Sequence, residues 1–281
     1  MKQKRLVTVQ DISCLGKCSL GAAMPIISAF GIETVVLPTA VLSTHTGGFE
    51  GYTFKDMTDE MPKIVSHWKS LGIEFDAMYS GYFGKCEQLE IVSGFFSDFK
   101  SDGNLVFVDP VLGDEGRLYT GFDGKFVDKM RDFCRHADVL TPNITEAALI
   151  SGMPYRENCG EEYAEKMALS LSDTGAKLIV ITGISEGSNS GAMCYDANSG
   201  KTFSYYRKRI EGTYYGTGDI FASVLCGALT SGADFERSLR LAVDFVHAGI
   251  VNTQDERKKF FYGVKFEQSL AMLTNFKGER L

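Results

Sequence analysis

Short runs of β-branched and aromatic residues alternate along this chain with longer stretches whose apolar side chains recur three or four positions apart. That alternation constrains the fold more than any other feature. A run buried on both faces reads as a parallel strand, and an amphipathic stretch reads as the helix that covers it. Residues 6–9, 34–37, 75–79, 105–108, 138–141 and 178–182 read as strands. Residues 19–30, stopped by Gly31, and 56–71, stopped by Gly72, read as helices. So do 86–100, 122–136, a stretch opening at Glu146, and 161–173. Residues 191–195 and 202–206 flank Asn198-Ser199-Gly200 and read as a hairpin, and 218–229 and 235–252 as closing helices. The pattern predicts an α/β fold with a mostly parallel central sheet flanked by helices. No linker or internal repeat interrupts the 281 residues, so one domain over 1–281 is expected.

Composition narrows the partners. Net charge is −7, and the densest basic cluster is Arg207-Lys208-Arg209. An extended cationic face for nucleic acid is missing. The first apolar run is too short for a signal-peptide core, and no apolar run is long enough for a membrane span. Seven scattered cysteines without a CxxC fit reduced thiols, and a cytoplasmic location is expected. Cys14 and Cys18 lack further closely spaced ligands and read as incidental thiols of a glycine-containing loop.

In parallel α/β sheets, ligands gather beyond the carboxyl ends of the strands. The polar punctuation of this chain lies there: Gln10-Asp11, Ser80-Gly81-Tyr82, Asp109, Thr141-Pro142-Asn143 and Thr182-Gly183. Gly216-Thr217-Gly218-Asp219 precedes an apolar helical stretch. Two glycines and a helix start expose backbone N–H groups to developing negative charge, and a first-turn carboxylate can take a hydroxyl proton. Taken alone, the tetrapeptide fits a glycine turn with a helix-start aspartate better. Neither GxxxxGK[ST] nor a GxGxxG after a strand occurs. Asp109-Pro110-Val111-Leu112-Gly113-Asp114 ends a strand with two carboxylates, of which Asp114 suits magnesium and Asp109 suits loop orientation or a monovalent ion. Arg117 fits nucleotide phosphates or solvent. Glu146 fits a second magnesium-shell carboxylate or a first-turn glutamate complementing the helix dipole. Ser43-Thr44-His45-Thr46-Gly47-Gly48 places small hydroxyls and an imidazole where a polar ring could bind.

Together these segments resemble the ribokinase-like superfamily, and within it the pyridoxal/pyridoxamine kinases, from Val9 to about Asn252. The resemblance rests on Ser43-Thr44-His45-Thr46-Gly47, Asp109 to Asp114, Thr141-Pro142-Asn143 with Glu146, Thr182, and Gly216 to Asp219. It implies a three-layer fold with a small β lid, a homodimer, and transfer of the γ-phosphoryl group of ATP to the 5′-hydroxyl of a B6 vitamer. By position, Asp219 is the implied base, with Gly216, Thr217 and Gly218 as its anion hole. Asp114 and Glu146 are implied magnesium-side carboxylates. Asp109, Thr141, Asn143, Thr182 and Gly183 match positions near nucleotide or a monovalent cation, K⁺ or Na⁺. His45, Thr46 and Tyr82 match positions around the pyridine ring.

The chain departs at Asp11, where many members carry serine. A carboxylate there could accept from the ring 3-hydroxyl or pair with the 4′-ammonium of pyridoxamine, so pyridoxamine or pyridoxine is expected over pyridoxal. The loop Gly16-Lys17-Cys18-Ser19 departs as well. Hydroxymethylpyrimidine kinase of thiamine synthesis is the nearest rival, disfavoured because those enzymes usually carry a glutamine-containing segment at 43–47. A non-catalytic B6-binding protein on the same scaffold would be expected to have lost the base, which this chain retains.

Overall fold

The computed structural model describes residues 2–276. In chain order the elements are β1 (Arg5–Leu15), α1 (Leu20–Ala29), β2 (Glu33–Thr44), β3 (Phe54–Asp56), α2 (Met61–Ser70), β4 (Ala77–Ser80), α3 (Cys86–Phe99), β5 (Leu105–Val108), β6 (Gly113–Asp114) and β7 (Arg117–Leu118). They continue as α4 (Gly124–Phe133), β8 (Val139–Leu140), α5 (Ile144–Ser151), α6 (Glu161–Leu171), β9 (Leu178–Glu186), β10 (Asn189–Asp196), β11 (Lys201–Lys208), α7 (Thr217–Thr230), α8 (Phe235–Thr253) and α9 (Ala271–Thr274). The chain divides into two compact units. The first holds Met1–Gly84, Ser101–Asn104 and Ile210–Leu281, and the second Lys85–Lys100 and Leu105–Arg209.

In the first unit the strand order is β4-β1-β2-β3, with β1 parallel to both β2 and β4. Leu6, Val7 and Val9 are fully buried, as expected of a strand covered on both faces. The register between β1 and β2 shifts between Gln10 and Ile12, and both strands then run on to Leu15 and Thr44. Gln10 and Asp11 therefore lie inside β1 and not after it. A β-bulge carries pairing past polar residues and re-aims a side chain, which a reading of apolar runs misses. Antiparallel β3 joins β2 on this extension. The helix expected from residue 56 starts only at Met61, because Asp56 belongs to β3 and its Oδ1 accepts from the Thr58 N–H at 2.7 Å. Pro62 then sits in the first turn, where its missing N–H costs nothing.

Helix α7 is buried almost all round, from Ile220 to Ala228, and packs against α1 and α8. Truncating one of its large core residues, such as Leu225, would cost about 2–5 kcal/mol. That packing fixes where the helix begins, and its first turn carries Asp219.

The second unit has strand order β11-β10-β9-β8-β5, with β5, β8 and β9 parallel and the β9-β10-β11 meander antiparallel. The hairpin at Asn198-Ser199-Gly200 forms as the sequence predicts. Thr182 and Gly183 lie inside β9 rather than beyond it. Gly183 (φ 80°) has no partner where the β9–β10 register slips, so it is the bulged residue. A small hairpin, β6–β7, pairs Asp114 with Arg117 and gave no periodic signal.

The α/β class, with a mostly parallel sheet flanked by helices, is the one the sequence predicts. All seven cysteines are free. Among the described residues no helix is long and apolar enough to cross a membrane.

Candidate active site

In the first unit the chemistry collects at the start of α7. Gly216, its N-cap, has φ 80°, and a Cβ there would collide with the Lys17 carbonyl oxygen. Glycine alone satisfies both demands. Thr217 anchors the turn by donating its hydroxyl to the Tyr214 carbonyl at 3.2 Å. Gly218 is exposed, with nothing near where a Cβ would be, so the backbone at this position is open to an anion.

Asp219 follows, half-buried. Burial, with the like charge of Asp11 adding to it, pushes its carboxyl up to about 7, while the nearby Ser19 backbone N–H works the other way. A carboxylate tuned near neutrality has a suitable pKa for a general base.

Asp11 is only 5% exposed. One of its oxygens accepts from the Ser13 hydroxyl at 2.8 Å, and the Ser19 side chain lies nearby. Burial raises its carboxyl above the usual range; Ser19, Ser13 and His45 oppose the rise. Tyr82 lies close enough for burial and Asp11 to hold its phenol up at about 12. Cys18 lies beside both carboxylates, and burial with their charge pushes its thiol far up. A thiol so placed is a poor nucleophile.

His45 is buried and committed on both ring nitrogens. Nδ1 accepts from the Gly47 N–H at 3.0 Å, which leaves Nε2 to donate to the Tyr262 carbonyl at 3.0 Å. Burial holds the imidazole neutral by lowering its pKa. It therefore has no nitrogen to offer a ligand. Its remaining surface is the ring, packed near Phe49 and Tyr215. Thr46, next to it, is exposed.

The second unit carries the other predicted residues. Asn143 and Glu146 form a capping box on α5: the Asn143 side chain accepts from the Glu146 N–H at 2.9 Å, and Glu146 Oε2 accepts from the Asn143 N–H at 2.8 Å. Glu146 Oε1 accepts from the Leu112 N–H at 3.1 Å, and Asn143 Nδ2 donates to the Gly113 carbonyl at 2.9 Å. These bonds tie the Asp109-to-Asp114 loop to the start of α5. Glu146 is 4% exposed, and burial, with the charges of Asp109 and Asp114, raises its pKa strongly. Both the magnesium and the helix-start readings of Glu146 bear on this geometry: its oxygens are engaged in capping, with lone pairs left for further contacts.

The Thr141 hydroxyl is buried without a hydrogen-bond partner, and its N–H donates to the Val108 carbonyl next to Asp109. Thr182 bridges to Asn143 and donates its N–H to the Pro142 carbonyl at 3.0 Å. Asp114 is exposed, its Oδ1 accepting from the Glu115 N–H. Among the described residues no three His, Cys, Asp or Glu side chains converge as a ready metal cage. Magnesium usually takes one or two carboxylates and fills its shell with water and phosphate oxygens, so the like charges that Asp109 and Asp114 place on Glu146 fit a cation of that kind.

The model of the phosphomethylpyrimidine kinase family matches residues 22–262. The chain belongs to this family. A pyridoxal kinase of Lactobacillus plantarum is 31% identical, with 96% of each chain covered and a TM-score of 0.89. A candidate phosphomethylpyrimidine kinase of Bacteroides thetaiotaomicron, solved with pyridoxal, is 38% identical over 97% of this chain and 96% of the other, with a TM-score of 0.92. A pyridoxal kinase of Arabidopsis thaliana is 26% identical, covering 92% of this chain and 85% of its own.

Within this family frame, sequence reasoning passed over one residue the geometry makes prominent. Ser19 is the N-cap of α1, with φ 46°. It lies close enough to both carboxyls to act on them, its hydroxyl lowering the pKa of Asp11 and its backbone N–H that of Asp219. No motif announces a serine that acts through its backbone. The cue available was its place one turn of loop before a helix, in the segment 16–19 that departs from better-known members.

Proposed function

We propose that this chain is an ATP-dependent kinase that phosphorylates the 5′-hydroxyl of a B6 vitamer (pyridoxal, pyridoxine or pyridoxamine), serving pyridoxal phosphate salvage in the cytoplasm. The observation that carries this reading is the half-buried Asp219 carboxyl, tuned to about 7 in the first turn of α7, behind a glycine turn open to an anion. Asp219 takes the proton of the hydroxyl as its oxygen attacks the γ-phosphorus. The N–H groups of Gly216, Thr217 and Gly218, with the positive end of α7, stabilise the charge on the transferring group. Asp11, Thr46 and Tyr82 hold the ring, and His45 lines it by its edge and face. The β1–β2–β3 extension serves as the small lid.

In the second unit Asp109, Asn143, Thr182 and Gly183 meet the nucleotide or a monovalent cation, K⁺ or Na⁺. Asp114, with Thr141 and the remaining lone pairs of Glu146, would hold magnesium, directly or through water. When bound, magnesium neutralises phosphate charge and helps align the γ-phosphoryl group. We assign the whole of 1–281 to one catalytic domain that works as a homodimer. The pyridoxal kinases of L. plantarum and A. thaliana support the choice of ring.

The family's own name favours a second reading, phosphorylation of hydroxymethylpyrimidine. An ADP-release assay with pyridoxal, pyridoxine, pyridoxamine and hydroxymethylpyrimidine separates the two. Turnover restricted to the pyrimidine would replace the B6 reading. Binding of a vitamer without turnover would make the chain a carrier instead.

A further inference from the structure

Asp11 and Asp219 are two interacting carboxyls in the first unit, and among the described residues neither forms an ion pair. The groups acting on Asp11 are the hydroxyls of Ser13 and Ser19 and the neutral imidazole of His45. Around it also lie the protonated phenol of Tyr82 and the protonated thiol of Cys18. Lys17, a cation of the same loop, is committed elsewhere: its Nζ lies 2.7 Å from Glu267. A carboxyl only 5% exposed, held by the Ser13 hydroxyl and left without a cation, rewards a ligand that brings one.

The proposed chemistry says where that cation would be. The alcohol that Asp219 deprotonates is a hydroxymethyl on an aromatic ring. The carboxyl next to Asp219 then meets the substituent on the adjacent ring carbon. In pyridoxamine that substituent is an aminomethyl group, charged at neutral pH. In pyridoxal it is an aldehyde, which only accepts hydrogen bonds. In hydroxymethylpyrimidine it is an amino group, which donates.

We infer that Asp11 is a specificity-determining residue that selects ring alcohols bearing an amine on the carbon next to the reactive hydroxymethyl, and disfavours the aldehyde. The inference rests on the kinase reading for the position of the ring. Ser13 keeps the carboxyl aimed by donating to one of its oxygens at 2.8 Å, so the ammonium displaces no internal partner. A carbonyl oxygen would instead face a carboxylate oxygen, with no proton between them.

Calorimetric titration of the full chain with pyridoxamine and pyridoxal tests this directly, alongside Asp11→Asn and Asp11→Ser. A charged hydrogen bond gained by one ligand and missing from the other predicts pyridoxamine bound about tenfold or more tightly by the wild type. Both variants should lose that preference, chiefly by weakening pyridoxamine. Equal affinities in the wild type, no binding of either ligand, or a preference that survives in a folded variant overturns the inference. Turnover of the same ligands and of hydroxymethylpyrimidine is read separately. Failure of every ring alcohol to be phosphorylated removes the kinase reading, while the affinity ratio still decides the role of Asp11.

Discussion

Replacing Asp219 with asparagine keeps the side chain's shape and removes its capacity to take a proton. The structure fixes what the wild type must show before the variant is made. A carboxyl that titrates at about 7 is ionised in about one molecule in ten at pH 6 and about nine in ten at pH 8. The kcat/KM limited by this base should therefore rise roughly tenfold between those values. An aspartate near its ordinary value of 3.8 would give a flat profile there. Asp219→Asn should lose about 10²–10⁴-fold in kcat and flatten the remaining rate.

The same shift makes a stability statement of known sign. Because the folded state holds the proton to higher pH than the unfolded chain, ionising Asp219 costs stability as pH climbs from 3.8 towards 7. The full shift corresponds to a ceiling of about 4 kcal/mol, and partial access to water reduces it to about 1–2 kcal/mol. Asp219→Asn should thus be more stable than wild type at pH 8, by a few degrees in Tm, and the gap should close near pH 4. ADP release across pH 6 to 8 and thermal melts at both ends supply the data. A flat wild-type kcat/KM profile, or a variant that keeps its turnover, would refute the assignment of Asp219 as base.

Other outcomes follow from the same geometry. Gly216→Ala, forced to φ 80° and against the Lys17 carbonyl, should lose about 1–3 kcal/mol of stability and most of its turnover, read by denaturant melts and ADP release. Asn143→Ala removes the cap of α5 and should cost about 1 kcal/mol. Its KM for magnesium-ATP should rise while calorimetry shows vitamer affinity unchanged. His45→Ala orphans the Gly47 N–H and the Tyr262 carbonyl and should cost about 1–3 kcal/mol, measured by chemical denaturation. Ser19→Gly tolerates φ 46° and keeps the N–H near Asp219 while losing the hydroxyl near Asp11. It should leave the acid limb of turnover in place and shift the ranking of vitamers.

Much of the scaffold was legible because burial has a period. Residues 105–108 and the helices at 86–100 and 235–252 read correctly to within a residue or two, since each shows a continuous apolar run or a one-sided stripe. What was not legible depends on register or on the main chain. The bulge at Gln10–Ile12 draws Asp11 into β1, though nothing in the composition of 10–12 distinguishes a bulge from a loop. The β6–β7 hairpin is two residues a side, too short for any period. For the candidate site, residue types pointed to Asp219, Asp11 and Glu146, but not to how each is satisfied. His45 read as a ligand because imidazole usually binds through nitrogen, and here both nitrogens hold the chain. Ser19 was passed over because its N–H would be the same from almost any residue.

The arrangement around Asp219 also explains why the site needs so rigid a base. Two neighbouring carboxyls without a counter-ion repel, and a softer segment would relieve them by swinging one into water. Here β1 cannot yield, because Asp11 lies at a bulge within a strand whose neighbours Val7 and Val9 are fully buried. Helix α7 cannot yield either, because its sides are core and its N-cap admits only glycine. Ser19, held at φ 46°, lies near both carboxyls and lowers the pKa of each. A non-glycine residue in the left-handed region persists only where its surroundings over-determine it. The strain, the unpaired charge and the raised pKa of the base are thus one structural cost, borne by the buried core of the first unit. A cationic ring substituent docked at Asp11 would relieve part of it, weakening the repulsion on Asp219 and drawing its pKa down as the substrate arrives. With an amine-bearing substrate, kcat should then reach its plateau at lower pH than kcat/KM, which reports the free enzyme. With the aldehyde the two acid limbs should coincide.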